Sequence, residues 1–378
     1  MSDVRARKQQ VCTRCVLDTT VPDITFDARG VCHFCREYDG RAARDVHTGD
    51  EGRRLLDAIV ADVRKRGEGK DYDCVIGVSG GVDSTYVACI VKKQLGLRPL
   101  AVHVDNGWNS ELAVKNIEEV LRRLDIDLST NVLDWEEFRD LQRSFLEAGI
   151  ANAEIPSDHA IQATLFRSAR EHGIRYIFTG SNVVTEAILP SSWMYDAHDL
   201  RLIKAVQKRF GRVPLRSFPT ISYASLAIDL LVRGLKFVPV LNFVTFNKAE
   251  AKQLLIDELG WRDYGGKHYE STYTKFFQGY ILPTKFDIDK RKAHLSTLIA
   301  SGQITREVAL AELAVPPYAP DEVERDLEYV IKKLGYSREE FDRMMAKAPK
   351  RAQDYPNSEA LKNRLGALVS LARKRSMK

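Results

Sequence analysis

The stretch DCVIGVSGGVDSTYVA, residues 73–88, joins an apolar run to an apolar helix pattern through a glycine-rich turn. The run Cys74–Val78 predicts a buried strand, and Ser84–Leu95 predicts a buried helix. The turn between them lies at a helix N-terminus, where free backbone N–H groups favour an anion. Gly80 and Gly81 allow a tight turn that brings these groups close to the anion. The stretch therefore predicts a loop that binds phosphate.

The loop lacks the lysine with which a Walker loop reaches the outer phosphates, so backbone donors and serine hydroxyls must hold the anion. The carboxylate of Asp83 would repel phosphate unless a divalent cation lay between them, which predicts a Mg²⁺ ligand. The alternative is an ordinary strand-to-helix turn with Asp83 as an acidic first-turn residue. The complete string is much rarer than a Gly-Gly turn and favours phosphate binding by Ser79, Gly80, Gly81, Val82, Asp83 and Ser84.

This string resembles the PP-loop of the ATP pyrophosphatases, the superfamily of GMP synthetase, asparagine synthetase and NAD synthetase. The resemblance implies that ATP and Mg²⁺ bind here, with catalytic roles for Ser79 and Asp83. It also implies that the β- and γ-phosphates leave as pyrophosphate while a substrate oxygen attacks the α-phosphate.

The composition is that of a globular protein with two or three domains: 378 residues, 44% hydrophobic and 29% charged. The first ten residues, MSDVRARKQQ, are polar, so we expect no signal peptide. The most apolar window, Ser222–Val244, is interrupted by three charged residues, so we expect no membrane span and a cytoplasmic protein.

The net charge of +5 is concentrated at one end of the chain. Residues 347–378 hold nine Lys or Arg and two Asp or Glu, a surplus of +7, and the preceding residues sum to −2. A basic tail is more often a solvated end or a contact with an acidic partner than a reader of nucleic acid sequence. We therefore do not expect nucleic acid to be a partner.

Four of the six cysteines form two Cys-x-x-Cys pairs, with sixteen residues between the pairs. This spacing is typical of a zinc ribbon; disulfides or an iron–sulfur cluster are the alternatives. A cytosolic chain disfavours disulfides, and the even split of the pairs favours zinc. Four thiolates leave no open coordination position, so we predict a structural zinc held by Cys12, Cys15, Cys32 and Cys35. The other two, Cys74 and Cys89, have the pattern of small core residues.

Strand and helix patterns alternate after the cysteine region. The predicted strands are 74–78, 100–105, 130–133 and 175–179, and the predicted helices are 51–65, 84–95, 110–124, 135–148 and 157–172. This alternation predicts an α/β fold with a doubly wound parallel sheet and ligands at the carboxyl ends of its strands. We expect three parts: a zinc ribbon at 1–50, an ATP pyrophosphatase domain at 51–222, and a mainly helical region at 223–378 that includes the basic tail.

Further candidates lie at strand ends and on the helix 157–172. Ordinary turn or surface roles remain the alternative for each, but their positions, and for the strand ends a resemblance to the same superfamily, favour nucleotide binding. The strand ends supply His103, Val104, Asp105, Gly180, Ser181 and Glu186, with Glu186 as a second Mg²⁺ carboxylate; the helix supplies Arg167 and His159 as phosphate candidates.

The segment GWRDYGGKHYESTYTKFFQ, from residue 260, is dense in charged and aromatic side chains beside a glycine pair. Such a segment suits a mobile lid over an anionic sugar substrate, and a polar connector between helices is the alternative. The candidate substrate residues are Lys267, His268, Glu270, Tyr273 and Lys275, with catalytic roles for the two lysines and the histidine.

The ribbon, the PP-loop and the segments GGKHYESTYTKFFQ and KRKAHLSTLIASGQITREVAL together resemble the N-acetyl sugar amidotransferase family over roughly residues 10–345. The resemblance implies that ATP adenylates the carbonyl oxygen of an N-acetylated sugar and that ammonia then displaces AMP to form an acetamidino group for a bacterial surface polysaccharide. It further implies that a separate glutaminase, with a cyclase-like barrel subunit, supplies the ammonia.

Two other functions are compatible with the residues. A tRNA-modifying enzyme of the thiolation type also combines zinc ribbons with PP-loops, but it generally needs reactive cysteines near the loop. A non-catalytic ATP-binding module would bind the nucleotide without releasing pyrophosphate.

Overall fold

The computed structural model describes residues 10–266 and 269–363. Its framework is a parallel sheet with the strand order β3-β2-β1-β4-β5. Helices cover both faces, which confirms the predicted fold class. The strands are β1 (Cys74–Gly77), β2 (Pro99–Asp105), β3 (Leu128–Val132), β4 (Tyr176–Thr179) and β5 (Lys236–Pro239).

The helices predicted before residue 175 agree with the structure to within two residues at each end. Short π-helical turns, Ile90–Gln94, Ile228–Val232 and Phe277–Ile281, extend the third, ninth and eleventh helices. The helices are α1 (His33–Asp45), α2 (Gly49–Gly67), α3 (Val82–Cys89), α4 (Glu111–Leu124), α5 (Trp135–Ala148), α6 (Ile155–Glu171), α7 (Val183–Glu186), α8 (Leu200–Phe210), α9 (Tyr223–Ala227), α10 (Lys248–Leu259), α11 (Thr272–Phe276), α12 (Leu282–Phe286), α13 (Lys290–Ala300), α14 (Arg306–Ala314), α15 (Pro320–Leu334) and α16 (Arg338–Ala346).

The order of the strands creates a crevice where the chain changes direction. Ile76 of β1 pairs with Ala101 of β2 on one side and with Phe178 of β4 on the other. The chain moves outward from β1 to β3 and then returns to place β4 on the opposite side of β1. Ligands of open parallel sheets bind at such a switch point, so the loop after β1 lies where a nucleotide is expected.

The sequence analysis did not predict the fifth strand, β5. This strand lies beyond residue 222, where we predicted that the nucleotide domain ends. Lys236–Pro239 has four residues, an exposed Phe237 and a terminal proline, so no alternating pattern marks it. Its edge position tolerates both features, because one side of the strand needs no hydrogen-bonding partner. One strand of the sheet, β5, therefore belongs to the region 223–378 that we predicted to be mainly helical.

The ribbon packs against α13 and α14. Asp18 forms an ion pair with Lys292 at 2.6 Å, and Arg306 donates to the backbone oxygens of Cys15 and Cys12 at 3.1 and 3.3 Å. Two isolated antiparallel bridges, Val11 with Asp18 and Phe26 with Cys32, order the backbone of the ribbon. Across the described parts of the chain, no helix has both the length and the apolar character needed to cross a membrane.

Candidate active site

The loop after β1 folds as the glycine pattern requires. Gly80 has φ +83°, and a β-carbon there would lie 3.0 Å from the backbone oxygen of Ala113, so only glycine fits without strain. The backbone N–H of Ser79 donates to the Ser84 hydroxyl at 3.2 Å, and that hydroxyl donates to the oxygen of Gly81 at 3.2 Å. Val82 is buried in the core, which leaves only its backbone for a ligand. The loop opens directly into α3, so its donors converge on one point.

Asp83 lies in the first turn of α3 and is approached by two side chains from other elements. The Lys248 ammonium is 3.5 Å from its carboxylate, and the Thr185 hydroxyl is 3.5 Å from the other carboxylate oxygen. Lys248 begins α10 and no motif marks it, so sequence reasoning missed it. The loop has no lysine of its own, but the fold brings a lysine to it from a point 165 residues away in the chain.

The segment after β4 lies directly against the start of α3. A β-carbon on Gly180 would lie 3.1 Å from backbone atoms of Asp83 and Ser84. The backbones of the two segments therefore approach closely because residue 180 has no side chain. The hydroxyl of Ser181 is 2.8 Å from that of Thr179. Glu186 ends α7 and is exposed. Gly180 thus lies against the start of α3, and its role in nucleotide binding, like that of Ser181, stays a prediction.

The end of β2 supplies a positioning histidine. His103 is buried; its Nδ1 donates to the oxygen of Val78 at 2.8 Å, and its Nε2 accepts from the Asn109 amide at 3.0 Å. The bond to Val78 ties the end of β1 to β2 just before the loop, and the bond from Asn109 fixes the turn after β2. Asp105 accepts from the backbone N–H of Gly107 at 2.8 Å, and Val104 is buried beside it. Asp105 keeps a carboxylate at the carboxyl edge of the sheet.

The segment after α10 covers the loop. The indole of Trp261 donates to the oxygen of Gly80 at 2.8 Å, and the backbone of Arg262 exchanges two hydrogen bonds with the Asn116 amide at 2.7 and 2.9 Å. Beside Gly81, the Tyr264 hydroxyl and a carboxylate oxygen of Glu270 each lie 3.4 Å from the position of a β-carbon. Burial and the charges of nearby carboxylates raise the pKa of Tyr264. Sequence reasoning singled out this segment but did not identify Trp261 as its anchor.

The structure pairs Lys275 with carboxylates of α15. Its ammonium is 3.2 Å from Glu322 and 3.4 Å from Asp326, and it lies over the rings of Tyr269 and Tyr318 at 4.8 and 4.6 Å. Two carboxylates on α15 already neutralise this charge, so Lys275 is held in a structural cluster. Tyr273 stacks on Trp108 and Phe277 and is buried. Lys267 and His268 lie outside the described residues.

Neither candidate on α6 faces the loop. Arg167 donates to the side chain of Asn131 on the edge strand β3, two strands or about 10 Å from β1. His159 is fully buried; its Nδ1 donates to the oxygen of Ala197 at 2.6 Å and its Nε2 accepts from the N–H of Ile221 at 3.1 Å. Burial lowers the pKa of His159 to about 4. His159 is a neutral core residue and has no free nitrogen for phosphate, which corrects our expectation.

The four ribbon cysteines form a metal-binding geometry. Their sulfur atoms all lie within 4.8 Å of one another, with 4.0 Å between Cys12 and Cys35 and 3.7 Å between Cys15 and Cys32. Sulfur atoms about 2.3 Å from a tetrahedral zinc are about 3.8 Å apart, whereas a disulfide needs about 2.05 Å. The cluster therefore fits a structural zinc and does not fit disulfides.

The two remaining cysteines are not placed for chemistry. Cys74 begins β1 and Cys89 lies in α3, and both are buried. Burial raises the pKa of each thiol, which suppresses the reactive thiolate. Among the described residues, no cysteine offers the reactive sulfur that a thiolation enzyme would need.

Comparison with known families gives matches to two separate parts of the chain. Residues 52–152 match the family model of NAD synthase, and residues 270–368 match that of the C-terminal domain of WbpG-like LPS biosynthesis proteins. The first match contains the PP-loop, α3 and the end of β2. The second contains α11 to α16.

Individual relatives are distant. An uncharacterized protein of Methanocaldococcus jannaschii is 24% identical over 84% of this chain and 97% of its own length. A glutamine-hydrolyzing GMP synthase of Aeropyrum pernix is 32% identical over 34% of this chain but only 24% of the enzyme. The NH₃-dependent NAD synthetase of Campylobacter jejuni covers 71% of this chain and 97% of its own at 14% identity, but its TM-score of 0.31 is too low to bear on function.

The family matches and the site geometry thus converge: the chain joins a PP-loop domain that resembles NAD synthase to a C-terminal region that resembles that of the WbpG-like LPS biosynthesis proteins.

Proposed function

We propose that this protein is an ATP-dependent amidotransferase that converts an N-acetyl group on a sugar, carried by a nucleotide, into an acetamidino group for bacterial surface polysaccharide. The observation that carries the proposal is the covering of the PP-loop by the segment that begins the WbpG-like domain, with Glu270 beside Gly81. A PP-loop activates an oxygen, and the domain above it supports a polysaccharide precursor as the source of that oxygen.

Different residues in and around the loop contact different parts of the ATP phosphates. The backbone N–H groups of Gly80 to Val82 and the hydroxyls of Ser79 and Ser84 bind the departing pyrophosphate. Asp83 would hold Mg²⁺, which would offset charge on the phosphates. Lys248 adds a positive charge within reach of the same group. These preorganised charges act where charge develops in the transition state, which is the most effective place for them.

The chemistry accounts for the use of ATP. An amide carbonyl resists ammonia because its oxygen leaves poorly. The acetyl oxygen bonds to the α-phosphorus as pyrophosphate leaves, and the nitrogen of ammonia then bonds to the acetyl carbon as AMP takes the oxygen away. One proton is released in forming the amidinium product. The segment over the loop excludes water, which would otherwise return the activated sugar to the N-acetyl form.

We infer that ammonia comes from a separate glutaminase partner with a cyclase-like barrel subunit. The GMP synthase relative is described as glutamine-hydrolyzing, and the aligned part is 24% of that enzyme. Cys74 and Cys89 are buried, so neither is available as a glutaminase nucleophile.

The test is pyrophosphate release from ATP with a panel of nucleotide-linked N-acetyl sugars and ammonium chloride, followed by mass spectrometry of the sugar. We expect one member to give equal amounts of AMP, pyrophosphate and a product in which NH replaces oxygen. The same mixture with the Asp83→Asn variant is the control and should give none. Sugar-independent ATP cleavage, or no cleavage with any member of the panel, would contradict the proposal.

A further inference from the structure

A cavity of about 320 Å³ lies between the cysteine ribbon and the segment that follows α7. One of its walls is a single face of α1, on which His33, Glu37 and Arg41 are spaced four residues apart. The opposite wall is the chain from Ala187 to Ser191. Arg41 and Ala187 are 146 residues apart in the sequence, so only the packing of the ribbon against the rest of the chain creates this cavity.

Contacts between the two walls fix the shape of the cavity. The carboxylate of Asp23, in the ribbon, accepts hydrogen bonds from the hydroxyls of Ser191 and Ser192 at 3.3 and 3.0 Å. The guanidinium of Arg41 contacts the backbone oxygen of Ala187 at 3.5 Å. Because α1 carries the last of the four ribbon cysteines, the four-sulfur cluster also sets the position of this wall. The cavity is therefore a built part of the fold.

The second wall connects the cavity to the PP-loop. The hydroxyl of Thr185 lies 3.5 Å from the carboxylate of Asp83, and Ala187 follows two residues later in the chain. Two residues span at most about 7 Å, so Asp83 lies on the order of 10 Å from the cavity wall. The backbone N–H of Ile188 donates to the hydroxyl of Thr297 at 3.0 Å, which ties the same wall to α13 in the WbpG-like region. The cavity therefore lies beside the nucleotide site.

The lining combines buried apolar surface with polar groups that are available to a ligand. Phe34, Tyr38 and Ile188 line the cavity and are buried. His33 uses its Nδ1 to accept a hydrogen bond within the ribbon. Among the described residues, neither Nε2 of His33 nor the carboxylate of Glu37 has a hydrogen-bond partner. Apolar walls with a few polar groups that fix orientation are typical of sites for small molecules.

Size and charge indicate the class of ligand. Sites for small molecules measure about 300–1,000 Å³, so this cavity suits one sugar ring and is too small for a complete nucleotide-linked sugar. Its lining has two carboxylates, Asp23 and Glu37, against the single guanidinium of Arg41, which does not favour a phosphate. Carboxylates accept strong hydrogen bonds from hydroxyl groups. An uncharged ring with several hydroxyl groups therefore fits the cavity better than a phosphate does.

We propose that this cavity binds the sugar ring of the substrate, with the Glu37 carboxylate accepting hydrogen bonds from the hydroxyl groups of the ring. The inference rests on the proposed function. The nucleotide carrier stays outside the cavity, and the N-acetyl group of the bound ring extends toward the PP-loop. Through α1, the cysteine ribbon thus contributes to the choice of sugar although its cysteines take no part in the chemistry.

The experiment measures binding of the sugar and of the nucleotides separately in the full chain. Calorimetric titrations give the affinity for the panel sugar that wild type converts, for its nucleotide carrier without the sugar, and for ATP. Glu37→Gln should weaken binding of the nucleotide-linked sugar about 10-fold and raise its KM by the same factor, with little change in kcat. Glu37→Trp, which fills part of the cavity, should abolish measurable sugar binding.

The control is Glu68→Gln, which makes the same chemical change at an exposed position after α2 and should behave as wild type. Glu37 is itself exposed, so we expect both of its variants to fold. Their affinity for ATP, their metal content and their melting temperature should equal those of wild type.

Three results would overturn the inference and leave the proposed function intact. Unchanged sugar affinity and KM in both Glu37 variants would show that the ring binds elsewhere. An equal loss of affinity for the carrier without its sugar would place the nucleotide in the cavity, and an equal loss of ATP affinity would show that the substitutions act through the fold. Failure of wild type to convert any sugar of the panel would overturn both the inference and the proposed function.

Discussion

The cysteine ribbon and the nucleotide site are assembled in opposite ways. The four ribbon ligands lie within Cys12–Cys35, and the spacing of two short motifs is enough to specify their geometry. The nucleotide site gathers its contacts from Ser79 to Glu270, and several of them belong to no motif. A metal centre needs only a few ligands at fixed distances, whereas a nucleotide site also needs neighbours that only the packing of distant elements can supply. Substitutions test how far this contrast extends.

The largest effect is expected from the ribbon. Cys32→Ser should abolish zinc binding and remove on the order of 10 kcal/mol of folding free energy, because a structural zinc stabilises only the folded state. Metal analysis and thermal unfolding of the purified protein provide the measurement. Cys89→Ala, which removes a buried thiol outside the cluster, should retain one zinc per chain. A stable, metal-free Cys32→Ser protein would show that the ribbon does not depend on its metal.

The next effect concerns the loop. Asp83→Asn should lower sugar-dependent pyrophosphate formation about 1,000-fold, equivalent to about 4 kcal/mol of transition-state stabilisation. The melting temperature should change little, because this side chain lies at the start of α3 and not in the core. Near-normal turnover at saturating ATP and Mg²⁺ would remove Asp83 from the site and weaken the comparison with the ribbon.

The third effect concerns His159, which the sequence predicted to bind phosphate and the structure places in the core. The folded protein holds the pKa of His159 at about 4, below its ordinary value near 6.5, so the unfolded chain binds the proton more readily. The stability this group contributes is present above about pH 6.5 and is lost as the pH falls toward 4, by about 3 kcal/mol.

The matched variant is His159→Gln, whose amide can donate to Ala197 and accept from Ile221 as the neutral imidazole does. Denaturant unfolding between pH 4 and pH 7 should therefore show a shallower loss of stability in this variant. His47→Gln should keep the wild-type slope. Identical slopes for His159→Gln and wild type would mean that this histidine does not govern the acid limb.

The smallest effect is expected at the anchor of the cover. Trp261→Phe keeps an aromatic ring but removes the indole N–H that donates to the backbone oxygen of Gly80 at 2.8 Å. The loss of this buried hydrogen bond should lower the folding stability by about 1–3 kcal/mol. We expect the KM for ATP to rise about 10-fold with a modest loss of stability. Trp135→Phe, at the start of α5, is the control. An unchanged KM would show that the loop holds its shape without this contact.

The sequence by itself determined the parts whose information is local. The period of apolar residues located the helices and strands between residues 51 and 179 to within two positions, because buried faces impose that period, but it missed α1. Glycine was required at position 80 by a positive φ, and the two cysteine pairs specified a four-sulfur cluster. Each of these signals lies within a few residues of the feature it predicts.

Only the tertiary structure decided which side chains meet at the loop and which are taken into the core. The packing of distant elements brought Lys248 and Trp261 to the PP-loop. It also buried His159 in the core and paired Lys275 with two carboxylates on α15. The physical reason is that burial and charge pairing depend on neighbours that are distant in the chain. The sequence around a histidine or a lysine does not reveal whether its side chain already forms hydrogen bonds with other parts of the protein.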